Sequence, residues 1–397
     1  MTAIKIWIKR FREASWTDYL TTSKEIDSAI QDIFEPKRVE GFSVSPENLE
    51  NLEFRTYERK TKLAVLPIAL LRFTCLKSLL LPHNNFSDLP AEIGQLTSLT
   101  YLDLNGNQLS ALPVEIGQLT SLTHLHLNFN QLSALPVEIY QLTSLTNLHL
   151  SHNQLNKLPA DIGQLTYLTH LGLKYNQLSN LPADIGQLTS LTHLHLEGNQ
   201  LNKLPNEICQ LPKLTHLGLD DNQFSSLPNE ICHLTSLNYL GLKYNQLSSL
   251  PAEICHLTSL IGLNLRYNQL SNLPAEICHL TSLIGLIIEG NQLSNLPDEI
   301  CHLTSLVHLD LSDNKLSETP HFILDLPNLT NLYLFNNPIT DLPNEILGHS
   351  PHSNCLEEVR AFVRDLAFTP MVDRELKLII LGNGRAGKTC LMKRLIY

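Results

Sequence analysis

Residues 122–144 read LTHLHLNFNQLSALPVEIYQLTS, and variants of this text return every 23 residues from about residue 76 to Pro343. In its first half, leucines alternate with polar residues, the period-two pattern of a short strand with one buried face. Asparagine ends the alternation. It recurs at Asn84, Asn107, Asn130, Asn153, Asn176, Asn199, Asn222, Asn245, Asn268, Asn291, Asn314 and Asn337, and a proline stands six residues after each, from Pro90 to Pro343. That makes twelve units.

Such a short strand cannot bury its leucines alone, so the copies must stack as a parallel sheet and share one continuous core. The asparagine sits where the backbone turns out of the strand. Its carboxamide both donates and accepts, and can satisfy from inside the backbone groups that lose their ladder partners. The proline fixes an extended turn into an outer segment whose isoleucine and leucine close the core from behind.

The pattern L-x-x-L-x-L-x-x-N-x-L resembles the leucine-rich repeat family over residues 76–343. The resemblance implies an α/β fold: a curved solenoid with its parallel sheet on the concave face, here roughly 50 Å long at ~4.8 Å per strand. Thr319 replaces the leucine that precedes proline in the other units, and local irregularity is expected there. Four regions follow. Residues 1–70 form an N-terminal cap with a degenerate first repeat, in which Thr61 stands in the asparagine column and Ile4, Trp7, Ile8 and Phe11 give an amphipathic start. Residues 71–349 form the solenoid. Residues 350–374 hold a capping helix, with Leu356, Val359, Phe362, Val363 and Leu366 on one face, and a linker. Residues 375–397 open a further domain.

The variable strand positions project from the concave side and make it the candidate partner-binding face. One column holds Tyr101, His124, Asn147, His170, His193, His216 and Tyr239, the next Asp103, His126, His149, Gly172 and His195. Toward the C-terminal end Lys243, Tyr244, Arg266, Tyr267, Glu289 and Asp310 give mixed charge. Four units share the outer segment ICHLTSL while their strand positions differ. Either the outer segment is held fixed, or the inner face is free or pressed to vary. Histidines on adjacent strands could share a divalent ion or repel one another once protonated. The plainer reading, a solvated polar face copied by duplication, is preferred. The Cys232/His233, Cys255/His256, Cys278/His279 and Cys301/His302 pairs are read the same way, with cysteine as a small, partly buried filler where other units put glycine.

The formal charge of −11 argues against nucleic acid and anionic membranes as partners and leaves proteins as the expected class. No run reaches the ~18 apolar residues of a membrane span. The start, MTAIKIWIKRFREASW, lacks the uninterrupted apolar core of a secretory leader, and the eight cysteines lack the close pairing of a disulfide scaffold. A reduced, cytoplasmic protein is expected.

After a linker, LKLIIL reads as a buried strand, followed by Gly382-Asn383-Gly384-Arg385-Ala386-Gly387-Lys388-Thr389 and the first turns of a helix. This matches the phosphate loop G-x-x-x-x-G-K-[ST] in its required context. Its backbone N–H groups would cradle phosphate oxygens, Lys388 would reach the β and γ phosphates, and the Thr389 hydroxyl would ligate Mg²⁺. A leucine-rich array, a sealing helix and then this loop resemble the Roco family, in which a Ras-like GTPase domain follows the repeats. That resemblance implies GTP or GDP with Mg²⁺ as cofactors of a complete domain and, in some members, a downstream kinase. Here only the first strand, loop and helix of that domain are present, so the chain as given is expected to be a truncated product, an interrupted reading frame or a fragment, and to catalyse nothing. A native chain continuing past Tyr397 would be a GTP-dependent switch instead.

Overall fold

The computed structural model describes residues 51–53, 62–66, 68–343, 345–348, 350 and 352–367. Each repeat contributes a three-residue strand, from β1 (Asn51–Glu53) and β2 (Ser78–Leu80) through β13 (Asn331–Tyr333), and the strands pair in chain order in one parallel thirteen-stranded sheet. Pairing is in strict register, Tyr101 against His124 and His124 against Asn147, so every leucine column stacks on itself. The stacked side chains, among them Leu102, Leu125, Leu148 and Leu171, are completely buried. Inter-unit backbone bonds continue beyond the strands, as in Gly106 N–H to the Asn128 carbonyl at 2.8 Å.

The outer segment is a five-residue 3₁₀ helix, for example Val137–Gln141 after Pro136. The proline is extended (φ −64°, ψ 145°), needs no N–H there, and its carbonyl accepts from the Ile139 N–H at 3.1 Å. Strands ~4.8 Å apart are backed by these wider helical segments, which makes the strand side the inner, concave one. One column of the outer wall holds glycine in some units and cysteine in others, but Tyr140 in another. Its ring is buried, and its hydroxyl has no hydrogen-bond partner.

The asparagines do more than end their own strands. Asn130 Nδ2 donates to the Leu127 carbonyl of its own unit and the Leu104 carbonyl of the unit before, both at 3.0 Å. Its Oδ1 accepts from the Leu109 N–H of that preceding unit, also at 3.0 Å. The same set recurs down the array, so each carboxamide stitches two repeats together inside the core.

The ends depart from the period. Asn51 pairs with Ser78, 27 positions on, whereas the later pairs are 23 apart. Leu63 nonetheless keeps the 23-residue register, its N–H bonding Asn84 Oδ1 at 3.2 Å, so the four extra residues fall between β1 and Leu63. Residues 1–50, with the expected amphipathic start, and Thr61 lie outside the described residues. At Thr319 the backbone N–H and the hydroxyl both donate to Asp341 Oδ1, at 2.9 and 3.0 Å, which satisfies a polar residue in a leucine column. Helix α1 (Leu356–Ala367) closes the far end with Leu356 and Val359 buried, and Arg360 donates to the Leu326 carbonyl at 3.1 Å.

Replacing one asparagine strands three buried backbone groups at once. Asn199→Ala is expected to destabilise the array by on the order of 3 kcal/mol in denaturant unfolding, against under about 0.5 kcal/mol for the exposed neighbour Gln200→Ala. Equal effects would contradict the stitching role.

Candidate binding face

The strand face carries four side-chain columns per unit, and the residue before each strand sets the first. Thr123, Thr169, Thr192 and Thr215 each donate their hydroxyl to the equivalent carbonyl of the preceding unit, at 2.9 to 3.0 Å. Each hydroxyl also lies 2.9 Å from Nδ1 of the next residue, His124, His170, His193 or His216. A hydroxyl has one proton, already given to the carbonyl, so the network places a proton on each Nδ1, and at His170, His193 and His216, whose pKa values burial lowers, Nε2 is left as the acceptor. His170, His193 and His216 then stack in parallel, with centroids 4.4 and 4.2 Å apart and planes within 11°.

This stacking does not suit a shared metal. Lone pairs lying in parallel planes more than 4 Å apart cannot converge on an ion that needs ~2.0–2.1 Å bonds. Among the described residues no group of three or more His, Cys, Asp or Glu is placed to hold a metal ion. At the N-terminal side the rings meet edge-on: Tyr101 OH is 3.2 Å from His126 Nδ1, and His126 packs against His149 at 4.6 Å. Burial, then neighbouring imidazoles, pulls His149 and His193 down to about 4. His126, His170 and His216 shift the same way, again chiefly by burial.

The third column carries the charges. Lys174 Nζ pairs with Glu197 at 3.0 Å, and His195 Nδ1 lies 3.3 Å from the same oxygen. Burial alone would raise the pKa of Glu197, but hydrogen bonds from His195, the backbone and Lys174 outweigh it and hold the carboxyl below its usual range. A Cβ at Gly218 would meet the Glu197 carboxylate, which would have to swing aside to make room. Arg266 bridges two later units, with Nε 2.6 Å from Glu289 and Nη2 2.8 Å from Asp310. Glu289 also accepts from the Tyr267 hydroxyl at 2.8 Å, and that bond, then burial, pushes the hydroxyl up to about 12.

Tyr244 and Tyr267, expected on the strand face, stand at its rim, immediately before the ladder asparagine. The backbone there is left-handed: His83, Phe129, His152, Tyr175, Asp221, Tyr244, Tyr267, Asp313 and Asn336 have φ between 51° and 57°. Bulky L-residues pay roughly 1–2 kcal/mol for that conformation. Phe129, His152 and Tyr175 stack at 4.2 and 4.5 Å, and Tyr244 on Tyr267 at 4.7 Å. The first run stops at Gly198 and the second at Gly290, where a Cβ would strike the preceding tyrosine ring. The period exposes this column in the sequence, but nothing in residue type announces its backbone conformation.

The Cys-His pairs lie on the outer side. Among the described residues the cysteines are free thiols, Cys209 buried and Cys232, Cys255, Cys278 and Cys301 half-buried. His256 and His279 turn Nδ1 to carbonyls of their own helical turns, Glu253 and Glu276, at 3.1 and 3.0 Å. Burial, then nearby glutamates, pushes the Cys255 and Cys278 thiols up. Gly382 to Thr389, the phosphate-loop residues, lie outside the described residues. No described helix is long and apolar enough to cross a membrane.

A family model of the leucine-rich repeat region matches residues 49–157, 154–238 and 226–350, and the chain belongs to the leucine-rich repeat proteins. That match ends before residues 375–397. A leucine-rich repeat protein of Leptospira interrogans is 37% identical with a TM-score of 0.71, the alignment covering 85% of this chain and 96% of that one. The functional domain of InlJ from Listeria monocytogenes, which includes a cysteine ladder, is 26% identical (TM-score 0.56; 69% and 61% covered). An internalin, inlF, of the same organism shares the fold at 24% identity (TM-score 0.56; 70% and 86% covered). No functionally curated protein matches the sequence.

The lowered histidine pKa values have a stability consequence. The unfolded chain takes up these protons first, so the rings' contribution is complete above about pH 6.5 and is lost as pH falls toward about 4. His193→Asn, which imitates Asn147 in the same column, is expected to flatten the fall in melting temperature between those pH values. A slope identical to that of the parent protein would contradict the assignment.

Proposed function

We propose that the chain is a protein-recognition scaffold that binds a polypeptide partner on its strand face. One observation carries the reading: the leucines, asparagines and prolines repeat almost unchanged, while the outward strand positions change from unit to unit. A fixed frame with a varied, solvent-facing surface is what a recognition solenoid requires. The partly exposed imidazole, tyrosine and charged groups there offer hydrogen bonds and ring contacts to a polypeptide. The setting is read as reducing and cytoplasmic from the cysteine spacing of the sequence, which lacks the close pairing of a disulfide scaffold.

The test is comparative affinity capture. Proteins retained by the parent chain should be lost when His170, His193 and His216 are together replaced by alanine. They should remain with Tyr167→Ala, a residue 67% exposed on the loop before a strand. Loss only with the loop variant would move the binding surface elsewhere.

A second reading is favoured by the phosphate-loop motif. In it residues 382–389 hold the phosphates of GTP or GDP, with Lys388 on the phosphates and Thr389 on Mg²⁺, and the array serves as the recognition arm of a Roco-type GTP-binding switch. Labelled GTP in the presence of Mg²⁺ should then bind weakly, without turnover, and should cease to bind in Lys388→Ala. Absence of binding by the parent chain, or binding indifferent to Lys388, would remove this reading.

A further inference from the structure

The first strand column holds a ring or a polar side chain in most units, as at Tyr239, His308 and Asn331, but two consecutive strands between Tyr239 and His308 leave it bare, at Gly262 and Gly285. A Cβ on Gly285 would meet no atom within 4 Å, and one on Gly262 would meet only the Tyr239 ring, at 3.1 Å. Crowding therefore does not explain glycine at 285. In the same two units the threonine that elsewhere clamps the imidazole becomes Ile261 and Ile284, exposed by 43% and 45%. A polar Thr-His pair is thus replaced twice in succession by an Ile-Gly pair. The result is a recess about 14 Å wide, three strand spacings from Tyr239 to His308, lined by the two isoleucines and half-buried Ile287 in an otherwise polar face.

The charges beside the recess are unequal. Lys174 is held by Glu197, and Arg266 by Glu289 and Asp310. Lys243, two residues past the strand that pairs with Gly262, has no ion pair among the described residues; its charge is felt by the Asp220 carboxyl, and its ammonium lies 4.5 Å over the Tyr244 ring. A partner with a carboxylate completes this cation. The rim rings argue against a sugar, since Tyr244 and Tyr267 face each other 9° from parallel and offer few free ring faces.

Resting on the recognition reading above, we propose that the recess at Gly262 and Gly285 is the anchor site for a polypeptide, taking one aromatic or branched aliphatic side chain, with a carboxylate a few residues along the same segment pairing with Lys243. Large apolar side chains in such pockets carry most of the affinity of protein contacts. The site fills a gap in the strand column without requiring any rearrangement of the frame.

The test is selection from a random peptide display library on the full chain, followed by affinity measurement on variants. Selected peptides should share a large apolar residue near an acidic one. Gly285→Leu should weaken them about tenfold or more, Gly285→Ala less, and Lys243→Gln should lower affinity and its salt dependence. Melting temperatures of the variants monitor folding. Peptides unaffected by Gly285→Leu but lost in His193→Ala would overturn the anchor site and leave the recognition face standing. Peptides indifferent to every strand-face substitution, or no enrichment at all, would overturn both. Capture of neutral oligosaccharides blocked by Gly285→Leu, without peptide enrichment, would overturn the polypeptide assignment.

Discussion

The buried asparagine ladder is the constraint on which the rest of the molecule depends. A strand of three residues makes too few ladder bonds to fix its own ends, and a turn inside a leucine core would leave carbonyls and N–H groups stranded. Each carboxamide removes both problems together by bonding its own leucine carbonyl, the equivalent carbonyl one unit back, and an N–H of that earlier unit. The repeats are thereby coupled by polar contacts within the core as well as by leucine stacking. Proline and the 3₁₀ turn need only return the chain to the next strand.

With the frame held from inside, the outward positions are released from structural duty, and they differ along the array. The N-terminal half places neutral, stacked imidazoles whose Nδ1 protons are fixed by threonine, so it presents a row of Nε2 acceptors. The C-terminal half combines an Arg266-centred charge cluster, the half-buried Lys243 over the Tyr244 ring and the glycine recess. At the rim, exposed aromatic rings are retained on left-handed backbone although glycine occupies the same place in other units, and the rings stack only where a glycine does not interrupt them. Two chemically different halves on one continuous face suit a long, extended partner better than a small compact ligand.

Most of the fold was legible because its period is explicit: alternating leucines gave the strands, and Asn-to-Pro spacing gave the turns. The closing helix was visible in the spacing of Leu356, Val359 and Phe362. Other features depend on contacts between units, which a single repeat does not display. The reach of Asn130 to Leu104, the rescue of Thr319 by Asp341 and the left-handed backbone under Tyr244 are of this kind. The four-residue insertion ahead of Leu63 hid β1, since the period alone pointed to Thr61. For the binding face, the residues were readable as columns, but their contacts were not: the threonine clamp on Nδ1 and the parallel stacking of His170, His193 and His216 arise between units. Gly262 and Gly285 were visible as letters. Their meaning required knowing that nothing lies above Gly285 and that only the Tyr239 ring borders Gly262.

The measurement that bears most directly on the account is a crystal structure of the chain with a bound polypeptide obtained by selection. The account predicts the peptide lying along the strand face, crossing the columns of His193 and Arg266, with an apolar side chain seated over Gly262 and Gly285. A peptide bound to the 3₁₀ side, with the strand face left to solvent, would contradict it.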